Sequence, residues 1–206
     1  MIDELLKFFV LFFVIVEPVT LVPVFAGLTE GASQTFRRRM AVKSVAVSGV
    51  MLTLFALGGS WFIGIMNISI DAFRIAGGVM LFLIALEMVF ARESGTKTTS
   101  EEKTEVQQRS DISVFPLAFP FIAGPGAMAT VLLTFGTLRP DMVLMLGLLG
   151  VIAIVLLITL VLMLLAQVVM RVMGVTGAHV VSRLTGVVLA ALAVQFMVDG
   201  LKGAFG

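Results

Sequence analysis

Glu17 is the residue in this sequence best placed to do chemistry. It is a carboxylate inside an apolar run over residues 5–28, followed by Pro18, Thr20 and Pro23. Twelve residues of helix carry the chain about 18 Å, so Glu17 sits near the middle of a bilayer if that run spans one. An ionisable group at that depth costs about 2.5–3.5 kcal/mol on insertion scales, and such groups usually face a cavity or a partner. Proton exchange and binding of an amine are the roles that fit. The competing explanation is a structural hydrogen bond to backbone unwound by the prolines. A second stretch, from Pro116 to Met128, holds Pro116, Pro120, Pro125, Gly124 and Gly126 inside another apolar run. Each interior proline costs a helix roughly 3 kcal/mol and each glycine about 1. Carbonyls freed in lipid find no water, so the break must face protein or a water-filled cavity.

Other reactive arrangements are missing. There is no cysteine, and His179 is the only histidine. No His-Glu-x-x-His helix and no Gly-rich loop ending in Lys-Ser/Thr occurs, and Gly124-Pro125-Gly126 alone is a weak phosphate signal. The chain is not expected to be an enzyme; an intramembrane enzyme is the least favoured alternative. No metal site or cofactor is expected. A proton or a sodium ion is the candidate coupling ion. Arg74 and Arg183 each open an apolar run, where snorkelling to the interface competes with a gating or helix-capping role. Gln195 is expected to form an interhelical hydrogen bond, and Gly77, Gly78, Gly147 and Gly150 to permit close helix packing.

The elements that position these residues follow from hydropathy. Hydrophobic residues make up 59% of the 206 and charged ones 13%, against about 25% charged in ordinary soluble domains. The chain reads as all-α: a polytopic transmembrane bundle of six helices over 5–28, 44–66, 71–90, 112–135, 142–166 and 180–201, with breaks in spans one and four. Arg37, Arg38, Arg39 and Lys43 close a basic loop before span two, Trp61 marks an interface, and Arg171 stops span five. The polar segment 92–111 reads as a flexible linker between a first three-span unit, 1–91, and a second, 112–206. Arg37, Arg38, Arg39, Lys43, Arg92, Lys97, Lys103, Arg109, Arg171 and Arg183 fall on one side of the membrane, against Lys7, Arg74, Arg139 and Lys202 on the other. That bias places the linker in the cytoplasm and both termini outside.

The halves look related. Pro18 and Pro23 match Pro120 and Pro125 at an offset of 102, and Arg74-Ile-Ala-Gly77 matches Arg183-Leu-Thr-Gly186 at 109. Three spans per half force the second copy to enter with opposite polarity, which is a 3+3 inverted repeat. Interrupted helices at matching places in such halves point to a transporter's site.

The motifs Arg74-Ile-Ala-Gly-Gly78, Pro116-Leu-Ala-x-Pro120-x-x-Ala-Gly-Pro-Gly126 and Ser182-Arg-Leu-x-Gly186, with Gln195-Phe196, resemble the MarC/SnatA family over essentially the whole chain. The resemblance implies a multi-pass protein of the prokaryotic plasma membrane, with small neutral amino acids such as glycine and alanine as substrates. Glu17 departs from the Asp or Asn the family more often places before the first proline. A small zwitterion suits the residues: helix N-terminal amides meet a carboxylate, while unwound carbonyls, Thr20 or Glu17 meet an ammonium. Small side chains at Ala123, Gly124, Gly126 and Ala127 limit the room. The expected substrate-binding set is therefore Glu17, Pro18, Thr20, Pro23, Pro120, Ala123, Gly124, Pro125 and Gly126. Gly126 is expected to face open space, so that Gly126→Val blocks transport without loss of stability. The alternative is that Gly126 lets helices touch. Expected partners are a small-molecule substrate and the lipid bilayer, with no nucleic acid; an oligomer is compatible with the sequence. A channel or a structural membrane component is the rival function.

Overall fold

A computed structural model describes residues 1–90, 111–138 and 140–205, and among them the regular structure is helical. The elements are α1 (Ile2–Val16), α2 (Pro18–Leu28), α3 (Gln34–Ile65), α4 (Ile70–Phe90), an irregular α5 (Ser113–Ile122), α6 (Pro125–Leu138), α7 (Met142–Leu164) and α8 (Ala166–Phe205). Five stretches are long and apolar enough to cross a membrane: Ile2–Leu28, Gln34–Ile65, Ile70–Phe90, Met142–Leu164 and Val180–Phe205. The pair α5 and α6 is apolar enough only when taken together and is bent by 56° at its break, so the count is five spans, or six if that pair is one broken span. The expected linker 92–111 lies, Asp111 apart, outside the described residues.

Helix ends fall where local chemistry puts them. Ser33 caps α3 by accepting the Phe36 amide at 3.2 Å, and Asp141 caps α7 by accepting the Leu144 amide at 2.9 Å; each satisfies an amide that has no partner within the helix. Because α3 starts at Gln34, the basic residues Arg37, Arg38, Arg39 and Lys43 lie on its first turns and not in a loop. With 32 residues, α3 is about 48 Å long and outreaches a hydrocarbon core of about 30 Å. Arg37 Nε donates to the Thr29 carbonyl at 3.1 Å and so ties the α2–α3 turn. Trp61 is 71% exposed in the last turns of α3, as an interfacial residue should be. Arg171 does not stop span five. The interruption falls at Leu165, after which α8 runs through Arg171 and breaks at Gly174, whose φ of 64° suits a residue without Cβ.

Contacts sort the helix ends into two groups. Leu5 meets Gly147, Ser60 and Ile70 meet Gly136, and Asp71 meets Gly203. The start of α1 therefore shares one end of the bundle with the start of α7 and the end of α8. Lys43 pairs with Asp111 at the other end, joining the start of α3 to the entrance of α5. Helices α4 and α8 pack antiparallel along a seam of small residues. A Cβ on Gly78 would stand 2.8 Å from the Ala193 carbonyl, one on Gly186 would stand 3.1 Å from the Ala85 carbonyl, and one on Gly200 would stand 2.8 Å from the Asp71 carbonyl. Leu81, Ala85, Leu189 and Ala193 are buried along this seam. A larger cluster, including Phe8, Phe12, Val22, Phe25, Leu52, Leu117, Ile122, Leu148 and Val155, fills the space between α1, α2, α3, α5 and α7.

The prolines do not repeat in kind. Pro18 opens α2 and Pro23 lies inside it, whereas Pro120 lies inside α5 and Pro125 opens α6. The five-residue spacing thus recurs on different local structures, because a proline is stable at the first position of a helix and disruptive further in.

Candidate functional site

Span one breaks at Glu17. Its backbone is left-handed (φ 53°, ψ 56°), its amide closes α1 by donating to the Phe13 carbonyl at 3.0 Å, and its carbonyl opens α2 by accepting from Leu21 at 3.2 Å. Left-handed geometry costs an L-residue with a side chain roughly 1–2 kcal/mol. Glu17 is also buried, at 6% exposure. Strain and burial in one ionisable residue concentrate at functional positions. Pro18 has no N–H, so the Val14 carbonyl loses its helical donor. The amides of Val19 and Thr20 precede the first ladder bond of α2 and lie at a positive helix end.

Span four breaks over a longer stretch. In α5, Phe115 and Phe119 take extended backbone angles, the bonds Phe115–Pro116 and Phe119–Pro120 are cis, and wide turns close with Leu117 N–H to Ile112 O at 3.3 Å and Ala123 N–H to Ala118 O at 2.8 Å. The chain turns at Ala123 and Gly124, and α6 then begins at Pro125, with Met128 N–H donating to Gly124 O at 3.0 Å. Gly126 and Ala127 present first-turn amides as Val19 and Thr20 do.

The two breaks meet. A Cβ on Gly126 would lie 3.6 Å from Ile15 Cγ2 in the last turn of α1, and 2.3 Å from Leu81 Cδ2 in α4. Glu17, Pro18, Ala123, Gly124 and Gly126 are buried, while Thr20, Pro23, Pro120 and Pro125 are half-buried. Thr20 and Pro23 lie on the first turns of α2. Arg74 is placed apart, at the end of the bundle shared with α6, where it donates to Asp71 at 3.3 Å and to Thr137 Oγ1 at 3.0 Å. Arg183 is exposed on α8. Gln195 is exposed as well and donates to Asp199, one turn on in its own helix, at 2.8 Å; among the described residues it makes no interhelical bond, because its position on α8 faces outward.

Gly126 does not face open space. Leu81 occupies the volume where its side chain would go, so the close approach of α6 to α4 depends on the missing Cβ. Gly126→Val is therefore expected to lower the melting midpoint in detergent. The cost should be about 1–3 kcal/mol, the usual penalty of overpacking, reduced to the extent that the Leu81 side chain can change rotamer. A melting curve beside that of the parent checks it.

Sequence reasoning missed the buried hydroxyls on α3 and α5, two helices that pack against each other. Ser44, Ser48 and Ser113 are fully buried; the signal was available in the four-residue spacing of Ser44 and Ser48, which places both on one helix face. At the mouth of the same seam, Asp111 pairs with Lys43 and accepts from the Ser113 hydroxyl at 2.5 Å and amide at 2.9 Å. The Lys43 ammonium first, and then Ser113, hold the Asp111 carboxyl well below the usual carboxylate range. A lowered folded-state pKa adds stability that is fully present above the unfolded value of about 4 and lost as pH falls below it. Acid titration of the melting midpoint below pH 4 is expected to fall less steeply in Asp111→Asn than in the parent, by a small margin because the pair is partly solvated.

Residues 2–205 match the model of the MarC family of integral membrane proteins. The chain belongs to the MarC family. Within it, the UPF0056 membrane protein YhcE of Escherichia coli is 34% identical over 97% of this chain and 92% of its own length. The UPF0056 membrane protein PH0760 of Pyrococcus horikoshii is 34% identical over the full length of both chains. YvbG of Bacillus subtilis is 34% identical over 96% of this chain and 93% of its own. No solved structure matches. MarC membership agrees with the several apolar helices and with the family resemblance of the motifs at Arg74, Pro116–Gly126 and Ser182.

Proposed function

We propose that this MarC-family protein is a secondary transporter of small neutral amino acids of the glycine and alanine type, holding its substrate near the midplane between the two interrupted helices. The observation that carries the reading is the approach of Gly126, one residue into α6, to Ile15, two residues before the break at Glu17. A zwitterion of a few heavy atoms needs opposite partners, and two sets of first-turn amides, an interrupted carbonyl ladder and one buried carboxylate are the groups that would supply them. Interrupted helices meeting inside a membrane protein are costly, and a substrate site is the standard use of that cost.

The same reading takes the chain as a 3+3 inverted repeat of 1–91 and 112–206, and its support is a nearly constant register. An offset of 108 residues takes the capping Ser33 to the capping Asp141, Gly78 to Gly186, Leu81 to Leu189 and Ala85 to Ala193. The contact of Gly78 with Ala193 is then the counterpart of that of Gly186 with Ala85. Aligning the helix-opening prolines, Pro18 with Pro125, gives 107, close to the 109 of Arg74 and Arg183, whereas the proline spacing alone suggested 102. An axis through Leu81 and Leu189, in the membrane plane, relates the halves in this scheme. Orientation follows the basic residues: termini outside, the start of α3 and residues 92–111 on the cytoplasmic face of the plasma membrane.

Counterflow in proteoliposomes loaded with unlabelled glycine or alanine tests the proposal. Saturable uptake of the labelled amino acid is expected, and Glu17→Gln should change its dependence on pH; an unchanged pH profile would remove Glu17 from coupling. Flux that grows linearly with concentration would identify a channel. A full solute panel with no exchange would sink the transport reading, as would turnover of a lipid or peptide without solute movement.

A further inference from the structure

Helix α4 is held close on two sides. A Cβ on Gly77 would stand 2.9 Å from Ala129 Cβ in α6, and one on Gly78 would stand 2.8 Å from the Ala193 carbonyl oxygen in α8, so both approaches depend on a missing side chain. Leu81 follows these glycines by four and three residues, which puts it on the same face of α4 one turn further on. Its side chain is 1% exposed, and its Cδ2 lies 2.3 Å from the place a Gly126 Cβ would take. Ile15 Cγ2 lies 3.6 Å from that same point. A methyl of Leu81 therefore fills the space of the side chain that Gly126 lacks, next to the last turn of α1.

This leucine is the side chain that a third helix extends to the place where the two broken spans approach. It lies in a buried apolar cluster with Ala85, Leu189 and Ala193, against which Val14 and Ile15 of α1 pack. The polar groups at the breaks are backbone amides and carbonyls and the carboxylate of Glu17, so a zwitterion would spend its two charges on those and leave its side chain to an apolar wall. That wall is stiff. With α4 clamped at Gly77 and Gly78 against two other helices, Leu81 can yield only by changing rotamer, and close packing resists that.

From this arrangement we propose that Leu81 is the specificity-determining residue of the site between the breaks, forming the wall against which the substrate's side chain lies and limiting that side chain to about the size of a methyl group. The inference rests on the transport reading above. It assigns size selection to one leucine on α4, a helix that carries neither break.

The test is counterflow of labelled alanine and valine with the full chain in proteoliposomes. The parent is expected to favour alanine. Leu81→Ala should raise the ratio of valine to alanine kcat/KM by about tenfold or more, because a single methylene in an apolar pocket is worth about 10–200-fold. Leu81→Met conserves volume and should keep the parental ratio. Leu81→Val should shift the ratio the same way by less, and carries the test if the alanine variant does not fold. Leu132→Ala is the control for packing: Leu132 is equally buried, and its Cδ1 lies 2.9 Å from the place a Gly59 Cβ would take, a leucine-on-glycine contact between α6 and α3 that does not involve Gly126. It should melt lower than the parent and keep the parental ratio. Unchanged ratios in the Leu81 variants beside an exchanging parent overturn the role of Leu81 and leave the transport reading standing. An equal rise in Leu132→Ala traces the effect to loosened packing and overturns that role as well. A parent that exchanges neither amino acid, nor glycine, sinks the transport reading and this inference with it.

Discussion

Gly78→Val is expected to be strongly destabilising, because it sits in the tightest part of the contact between α4 and the backbone of α8. A Cβ at position 78 would stand 2.8 Å from the Ala193 carbonyl oxygen, 3.0 Å from the Met197 amide and 2.7 Å from Met197 Cγ. The side-chain atom can move, but the two backbone atoms belong to a helix and move only if α8 is pushed away as a unit. Overpacking of this kind costs about 1–3 kcal/mol and more when backbone must shift. A protein of this size loses about 2–4 °C of melting midpoint per kcal/mol, so a fall of several degrees in detergent is the expected readout. Gly186→Ala is the matched control on the opposite helix. Its nearest neighbours are Met88 Cβ at 2.8 Å and the Ala85 carbonyl at 3.1 Å, so it should destabilise in the same direction and by less than the valine. Equal melting of parent and Gly78→Val would mean that α4 and α8 do not approach through these glycines.

Gly124→Ala is expected to abolish transport, the larger effect on function. An alanine Cβ there would lie 2.3 Å from the carbonyl oxygen of Pro120, four residues back in the same chain. The atom in the way is backbone, held within the wide turn that the Ala123 amide closes on Ala118. The break must therefore open, which displaces Gly126 and the start of α6 from their place against Leu81 and Ile15. A misplacement of about 1 Å in a positioned site can cost about a hundredfold in rate. Counterflow and melting measured on the same preparation separate the effects: uptake lost with a midpoint lowered by no more than a few degrees is the expected result. Parental uptake in Gly124→Ala would remove the break at Gly124 from the mechanism.

Much of the helix pattern was legible in the chain alone, because apolar length near the bilayer thickness leaves little freedom. Spans 71–90, 142–166 and 180–201 agree closely with Ile70–Phe90, Met142–Leu164 and Val180–Phe205. The breaks in spans one and four could be read from Glu17-Pro18 and from Pro116–Gly126, since proline acts on its own backbone whatever surrounds it. Charge was a poorer guide to local structure. Arg37–Arg39 suggested a loop and Arg171 a stop, yet both sites are helical, because a helix may extend beyond the membrane into water where arginine is a good helix former.

Sequence by itself determined the MarC family, the membrane class and the two positions where the backbone cannot continue as a helix. All of these depend on composition or on bonds between near neighbours. Tertiary structure decided which of those features meet. That Gly126 lies against Leu81 and Ile15, that Ser48 faces Ala118, and that Gln195 points outward are facts about residues tens of positions apart. A glycine reads the same in sequence whether the space beside it is empty or filled. Only the packing of α4 against α6 shows that the space beside Gly126 is filled, because van der Waals contact is set by the partner helix and not by the residue itself.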